Sequence, residues 1–316
     1  MKLLEVEHKK IMISCLNWGM GHIARSIHLI KILLEQENTI IFTGNSNQLK
    51  IIRVYFPQIQ TLYLEGYPFE FEKYKSFQQA IWKQKTKLYN FLEFEKKWVD
   101  EKVNEFAIDL VISDHRYGFR SSKVTSIFMT HQIQLPLKGV YNFFQFFHSR
   151  WMKQFDKIWI VDDAENRLAG KLSCAKKVAN FEYIGYLSRF NRKKQSIKNQ
   201  KQGLSVLLIS GPDTQIKHLY DYYLDRSNNV FEKIIIGNSN VLDSLAKEVN
   251  FTYIESKNWL EIDEILHQAT EIYSFHGYST LMDAKYLSAE FHLIPSLNQW
   301  EQEYLSKIHP QILNQK

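Results

Sequence analysis

The sequence predicts an α/β protein made of two Rossmann-like halves, each a parallel sheet with helices on both faces. Three observations carry this. Short apolar runs alternate with longer stretches whose apolar residues recur at helical spacing, the order that generates parallel sheets. The pattern breaks at the polar, basic stretch from Phe190 to Gly203 and then restarts. The chain has 316 residues and is 45% apolar, enough for two domains that each bury a core.

Taken in order, Ile11 to Leu16 reads as a buried strand. Ala24 to Glu35 follows as a helix with Ile27, Ile30, Leu33 and Leu34 at helical spacing. Thr39 to Phe42, Gln60 to Leu64, Leu110 to Ser113, Ser126 to Met129 and Lys157 to Val161 are further strands. Ser76 to Ala107 contains no Gly or Pro and reads as one long helix or two short ones. The second set of strands is Leu204 to Ile209, Phe231 to Ile236, Phe251 to Ile254, Glu271 to Phe275 and Phe291 to Ile294. The predicted division is therefore a first domain over 1–188, a linker over 189–203 and a second domain over 204–316. Ligands of such sheets bind at the C-terminal strand ends, here expected to face each other across a cleft.

Composition narrows the function. The formal charge is +6 and aromatics make up 14% of the chain, a surface suited to nucleic acid, anionic lipid or phosphorylated substrates. No nucleic-acid motif of helix-turn-helix, RRM or zinc type is present, so nucleic acid is not an expected partner. No apolar run reaches the roughly 18 residues that span a bilayer. The N-terminus mixes charges of both signs and lacks a signal-peptide core, so a cytoplasmic location is expected. Cys15 and Cys174 form no CxxC pair, and neither a disulfide nor a metal framework is expected. The motifs GxSxG, Walker A and HExxH are absent. Asp162-Asp163 is not DxD and closes a strand where a capping role suffices. No metal and no cofactor are expected.

Five strand-end loops are candidate sites. Asn17 to His22 places Gly19 and Gly21 between the first strand and its helix, where free N–H groups suit an anion. The plain alternative is a tight turn with His22 capping the helix. Ser210 to Gln215 is a second small-residue loop, with Gly211 as its candidate contact; an ordinary βα turn explains it as well. Ser274 to Ala284 is the strongest: Gly277, Tyr278, Ser279 and Thr280 open a helix where a diphosphate is stabilised, and Asp283 lies one turn in, placed for ribose hydroxyls. Here the alternative is a Ser279 cap with Asp283 favoured by the helix dipole. Pro295 to Tyr304 offers Gln299, Glu301 and Gln302 to sugar hydroxyls, though alone it is simply a polar helix start. Last, Asp114, His115 and His131 end neighbouring strands as candidate bases, while Arg116 either holds a phosphate or pairs with Asp114; a structural salt bridge or hydrogen bond explains any one of them as well.

Together these residues carry a resemblance. Trp18 to Arg25, Ile112 to Gly118, Thr130-His131-Gln132 and Tyr183 to Phe190 match, in order, W-G-x-G-H-x-x-R, I-S-D-x-R-Y-G, T-H-Q and Y-I-G-x-x-S-R-F. In the second half, Gly211, Gly277 to Asp283 and Gln299 to Tyr304 complete the set. The chain resembles GT-B glycosyltransferases near the MurG-like, family 28 C-terminal type, over nearly its whole length. The resemblance implies inverting, metal-independent transfer from a nucleotide sugar, usually a UDP-sugar. It implies an acceptor-side domain over 1–188 and a donor-binding domain over 204–316. It assigns the diphosphate to the Gly277 loop, the ribose to Asp283 and the sugar to Gln299 and Gln302, with Glu301 beside them. His22 matches a loop histidine that acts as base or phosphate contact, with Asp114 and His131 as rivals. Two departures stand out: Phe275-His276 replaces an Arg-Ser or Ser-Arg pair, and Leu297-Asn298 replaces Pro-Gly. The alternatives are a UDP-sugar epimerase of the same fold and a non-catalytic binding protein. The acceptor is unknown. Tyr141 to Lys153, rich in aromatics beside Arg150 and Lys153, points to an amphiphilic or lipid-linked acceptor and a peripheral contact with the membrane's inner face, against the alternative of a buried helix.

Overall fold

The computed structural model describes residues 1–68, 82–137, 142–176, 178–190, 203–211, 215–227, 232–245, 250–297 and 299–310. Ser76 to Ile81, Tyr141, the linker residues Asn191 to Gln202, Pro212 to Thr214, Phe231 and Asn298 lie outside the described residues. The chain divides into two compact units. One comprises Met1–Trp18 and His22–Leu187; the other comprises Ser188–Lys316, with which Gly19–Gly21 is grouped.

In the first unit, β1 (Lys10–Cys15) leads into α1 (Gly21–Glu35), and β2 (Thr39–Gly44) into α2 (Ser46–Tyr55). Then come β3 (Gln60–Tyr63), α3 (Lys85–Phe106), β4 (Leu110–Asp114), β5 (Thr125–Thr130), α4 (Phe143–Met152), β6 (Lys157–Ile160) and β7 (Phe181–Tyr183). The strands form one sheet in the order β3-β2-β1-β4-β5-β6-β7, every pairing parallel. The central strands are buried on both faces, as a sheet covered by helices requires. Ile23, Ile27, Ile30 and Leu33 form the buried stripe of α1. That helix begins at Gly21, ahead of the predicted Ala24, because Gly19 takes the left-handed conformation (φ +78°) and turns the chain early.

Two elements were not predicted. Helix α2 is started by a capping box: Asn45 Oδ1 accepts from Gln48 N at 3.0 Å, and Gln48 Oε1 accepts from Asn45 N at 3.1 Å. Strand β7 is a three-residue edge strand, partly exposed, too short to show a period.

The second unit contains β8 (Leu204–Leu208), α5 (Ile216–Arg226), β9 (Glu232–Gly237), α6 (Ser239–Ser244), β10 (Phe251–Glu255), α7 (Trp259–Gln268), β11 (Glu271–Phe275), α8 (Tyr278–Ala284), β12 (Glu290–Ile294) and α9 (Trp300–Ile308). The sheet order is β10-β9-β8-β11-β12, again all parallel. Its core gathers Leu207, Leu219, Tyr223, Ile235, Tyr273 and Phe275. Ser188 and Arg189 anchor the start of this unit: Ser188 Oγ donates to Asp283 Oδ1 at 2.6 Å and Arg189 Nε to Asp263 Oδ1 at 2.6 Å. Among the described residues, no helix is long and apolar enough to cross a membrane.

Candidate functional site

Both sheets reverse their winding beside their first strand, between β1 and β4 and between β8 and β11. The loops leaving those strands at their C-terminal ends are where a doubly wound sheet receives a ligand. The candidate residues of each unit cluster there.

In the first unit, the sheet register sets Cys15 beside Asp114 and Asp114 beside Met129. The ends of β1, β4 and β5 therefore deliver His22, Asp114 and His131 to one place, and Arg25 joins them. Its Nε donates to Asp114 Oδ2 at 2.7 Å, and its Nη2 donates to Oδ1. Nη2 also lies 2.7 Å from His22 Nδ1, and Nη1 lies 3.0 Å from His131 Nδ1. His22 Nδ1 is in turn 3.1 Å from Asp114 Oδ2. His22 and Arg25 share a face of α1 because they are three residues apart. The His22 side chain keeps 15% of its surface exposed, whereas that of Asp114 keeps none. The two neighbours of His22 Nδ1 make opposite demands. A proton on Nδ1 is donated to Asp114 and leaves Nε2 bare; a bare Nδ1 accepts from Arg25 and puts the proton on Nε2.

Electrostatics separate the three candidate bases. Burial alone would raise the Asp114 carboxyl, but Arg25 and His22 hold it well below the usual carboxylate range. Burial pushes the His22 imidazole below its ordinary value; Asp114 opposes this, while Arg25 and His131 add to it. Asp114 is therefore an enclosed carboxylate held in its ionised form by the groups it touches. It is the partner of His22. His131 is buried, with Nδ1 turned to Arg25.

His115 adopts the left-handed conformation (φ +62°), uncommon for a side-chain-bearing residue, and hydrogen-bonds Thr130 Oγ1 through Nε2. Its ring stands 5.5 Å from that of His22 and 6.3 Å from that of His131. Burial depresses its imidazole well below the usual value, as do His22 and Arg25.

Arg116 corrects an expectation. Its side-chain hydrogen bonds among the described residues go to Glu95 and Glu65 rather than to Asp114. Its Nε donates to Glu95 Oε1 at 2.5 Å with both side chains fully buried, and its Nη2 donates to Glu65 O at 2.8 Å. The neighbouring Gly118 has a packing reason: a Cβ there would come within 2.6 Å of the Leu92 carbonyl oxygen. Within the Ile112 to Gly118 motif, Asp114 thus turns to His22 and Arg25 while Arg116 turns to Glu95.

In the second unit, Gly277 follows β11 and precedes α8, whose first hydrogen bond runs from Leu281 N to Gly277 O. His276, immediately before, is buried, and neither ring nitrogen has a hydrogen-bond partner among the described residues. Burial lowers its imidazole to about 4. Phe275 is buried, and a Cβ on Gly211 would meet its ring at 2.9 Å, so Gly211 and Phe275 are a matched pair. Asp283 sits one turn into α8. Burial raises its carboxyl to about 6, against the pull of Arg189 and Ser188, and Arg189 Nη1 lies 3.5 Å from its Oδ2. Gln302 Oε1 accepts from Ser296 N at 2.8 Å and so holds the loop after β12. Gln215 grips the same loop by donating to Leu297 O at 2.7 Å and accepting from Leu297 N at 2.5 Å. Gln299 is exposed at the start of α9, with Glu301 half-buried behind it. Tyr278 is buried, while Ser279 and Thr280 are half-buried.

Sequence reasoning missed two groups here. Arg25 lay inside a quoted motif, and its three-residue spacing from His22 was the available signal. His276 was noted only for a lost positive charge.

No family model matches the sequence, and no curated protein does. Solved structures match by shape. The spinosyn rhamnosyltransferase SpnG, complexed with thymidine diphosphate, matches with a TM-score of 0.64 at 10% identity, over 95% of this chain and 85% of its own. Arabidopsis thaliana UGT89C1, complexed with quercetin, matches with a TM-score of 0.60 at 14% identity, over 96% and 83%. The chain has the GT-B fold. A putative UDP-N-acetylglucosamine 2-epimerase from Listeria monocytogenes has it too, with a TM-score of 0.57 at 10% identity over 96% of this chain and 88% of its own. At such identities the GT-B fold is what is shared; chemistry has to be argued from the two loop clusters themselves.

Proposed function

We propose that this protein is a nucleotide-sugar glycosyltransferase in which the second unit binds the donor and the first supplies the base. The observation that carries the reading is His22: a partly exposed imidazole with Nδ1 3.1 Å from an enclosed carboxylate that Arg25 also holds. Such a pair accepts a proton at Nε2 while the carboxylate steadies the cation that forms. The acceptor hydroxyl gives its proton to Nε2, its oxygen pair bonds the anomeric carbon, and the bond from that carbon to the phosphate oxygen breaks. The nucleoside diphosphate leaves with those electrons. Attack of this kind inverts the anomeric centre.

For the donor, the Gly277 to Thr280 loop is the diphosphate contact in this reading and Asp283 the ribose contact. His276 lies beside them with two nitrogens unused among the described residues. Gln299, Glu301 and Gln302 stand at the next strand end for the sugar. SpnG is complexed with thymidine diphosphate, so thymidine as well as uridine nucleotides belong in the test. The MurG-like affinity rests on the motifs, as does metal independence: activity is expected to survive EDTA unchanged.

The test is product analysis by NMR with UDP- and TDP-sugars. Transfer, or slow hydrolysis with inversion when no acceptor is added, supports the reading. An epimerised sugar in the absence of acceptor replaces it with epimerase activity.

The acceptor reading is an amphiphile presented at an anionic bilayer. Helix α4 supports it: Phe143, Phe146 and Phe147 are exposed, at 39%, 65% and 40%, on the same side as exposed Arg150 and Lys153. Its opposite side buries His148 and Met152. Trp82 extends the aromatic surface, 5.3 Å from Phe143, with Lys85 Nζ 4.2 Å above its ring. Rings at headgroup depth flanked by cations suit an anionic interface. The protein is expected to co-sediment with anionic vesicles at low salt and to lose this in high salt or when Phe143, Phe147 and Trp151 become Ser. Binding that ignores both changes would contradict the surface.

A further inference from the structure

Four contacts of the Arg25 guanidinium among the described residues define the histidine centre. Two go to the oxygens of Asp114, one to His22 Nδ1 at 2.7 Å and one to His131 Nδ1 at 3.0 Å. The side chain is almost completely buried. An arginine buried this deeply serves the groups it touches, and these three bear on the proposed base.

We propose that Arg25 is the positioning residue of the transfer reaction: it clamps both oxygens of Asp114 and sets its own charge beside His22, so that His22 rests as a neutral imidazole with its Nδ1–H aimed at Asp114 and its Nε2 bare. This rests on the reading of His22 as the base.

The need for such a residue follows from the geometry. A lone carboxylate 3.1 Å from an imidazole favours the imidazolium, which has no lone pair to accept a proton. A bidentate guanidinium offsets much of that carboxylate's charge and fixes its orientation. Its Nη2, so close to Nδ1, also opposes a second cation at that spot. Among the described residues, the charged and titratable groups facing His22 are Arg25 from its own helix, Asp114 and His115 from the end of β4, and His131 from the end of β5. Only Asp114 favours protonation, and Arg25 holds it. Lysine, a point charge, keeps the compensation but not the fork.

The experiment is a pH titration of the full-length chain labelled with 15N-histidine, followed by long-range 1H–15N NMR, with His22 assigned by its loss in His22→Gln. In Arg25→Gln the His22 midpoint is expected to rise by roughly one pH unit or more. In Arg25→Lys it stays near the parent value, and in Arg25→Gln/Asp114→Asn it returns to it. Where turnover is measurable, the acid limb of kcat/KM moves with the midpoint while the donor KM holds. An unchanged midpoint in Arg25→Gln, or the same rise in the double variant, overturns the proposal. Should Arg25→Gln not fold, Asp114→Asn decides: with Arg25 uncompensated the midpoint must fall below the parent, and no fall overturns it. Absence of turnover with every nucleotide sugar, with these midpoints as expected, would remove the glycosyltransferase reading and leave Arg25's control of His22 standing.

Discussion

His22→Ala is expected to lower kcat by roughly 100-fold or more with little change in donor KM, because only the proton transfer in the transition state is lost. The argument has a pH signature. Burial, Arg25 and His131 set the His22 imidazole below its ordinary value, so the ring is neutral throughout the neutral range. A base loses function when protonated. The parent rate should therefore stay flat on moving from neutral into mildly acidic solution, and fall only once the pH drops below the ordinary imidazole range. Asp114→Asn should be nearly as damaging. It leaves His22 without its carboxylate and Arg25 buried without its counter-ion. Steady-state kinetics against pH for parent and both variants check this. Full activity in His22→Ala would end the assignment of the base to His22 and pass the role to its rivals, His131 and Asp114.

The largest stability effect is expected away from the chemistry. Glu95 and Arg116 are both fully buried and joined at 2.5 Å, and Arg116 also sits 5.4 Å from the Tyr67 ring. Burial raises the Glu95 carboxyl, with Arg116 pulling against it. Arg116→Met removes the partner and leaves a buried acid uncompensated, which costs about 3–5 kcal/mol. The double variant Arg116→Met/Glu95→Leu should recover much of this, since an apolar pair of similar volume is often tolerated in place of a buried ion pair. Denaturant unfolding of the three proteins tests it. A loss within about 0.5 kcal/mol, the usual range for an inconsequential surface change, would contradict the described pairing.

The strands were legible because a covered parallel sheet writes itself as apolar, β-branched runs: Ile11 to Cys15 and Leu110 to Ile112 could hardly be anything else. Helix α2 was not, because its decisive signal is one local exchange between Asn45 and Gln48 rather than a long periodic stretch. The site divides similarly. Spacing within one element was readable, so His22, Asp114 and His131 were each nominated, but as competitors. That they are partners depends on which strands lie side by side, and the register of β1, β4 and β5 supplies this. Arg25 has meaning only in that arrangement, since its contacts at Asp114 and His131 lie 89 and 106 residues away. Arg116 misled for the same reason. Adjacent to Asp114 in sequence, it turns to α3 and Glu95 instead. Gly211 and Phe275, read separately as a binding glycine and a departure, are one packing solution.

The central claim is that the second unit holds a nucleoside diphosphate, and calorimetric titration with UDP and with TDP tests it most directly. The account predicts saturable one-to-one binding of one of them. That binding should weaken at least tenfold, about 1.4 kcal/mol, in Asp283→Ala and in His276→Ala, with circular dichroism confirming that both variants fold. It should be unchanged in His22→Ala, since the role proposed for that residue lies in the acceptor step. No heat from either nucleotide at millimolar concentration, or equal affinity in parent, Asp283→Ala and His276→Ala, would contradict it.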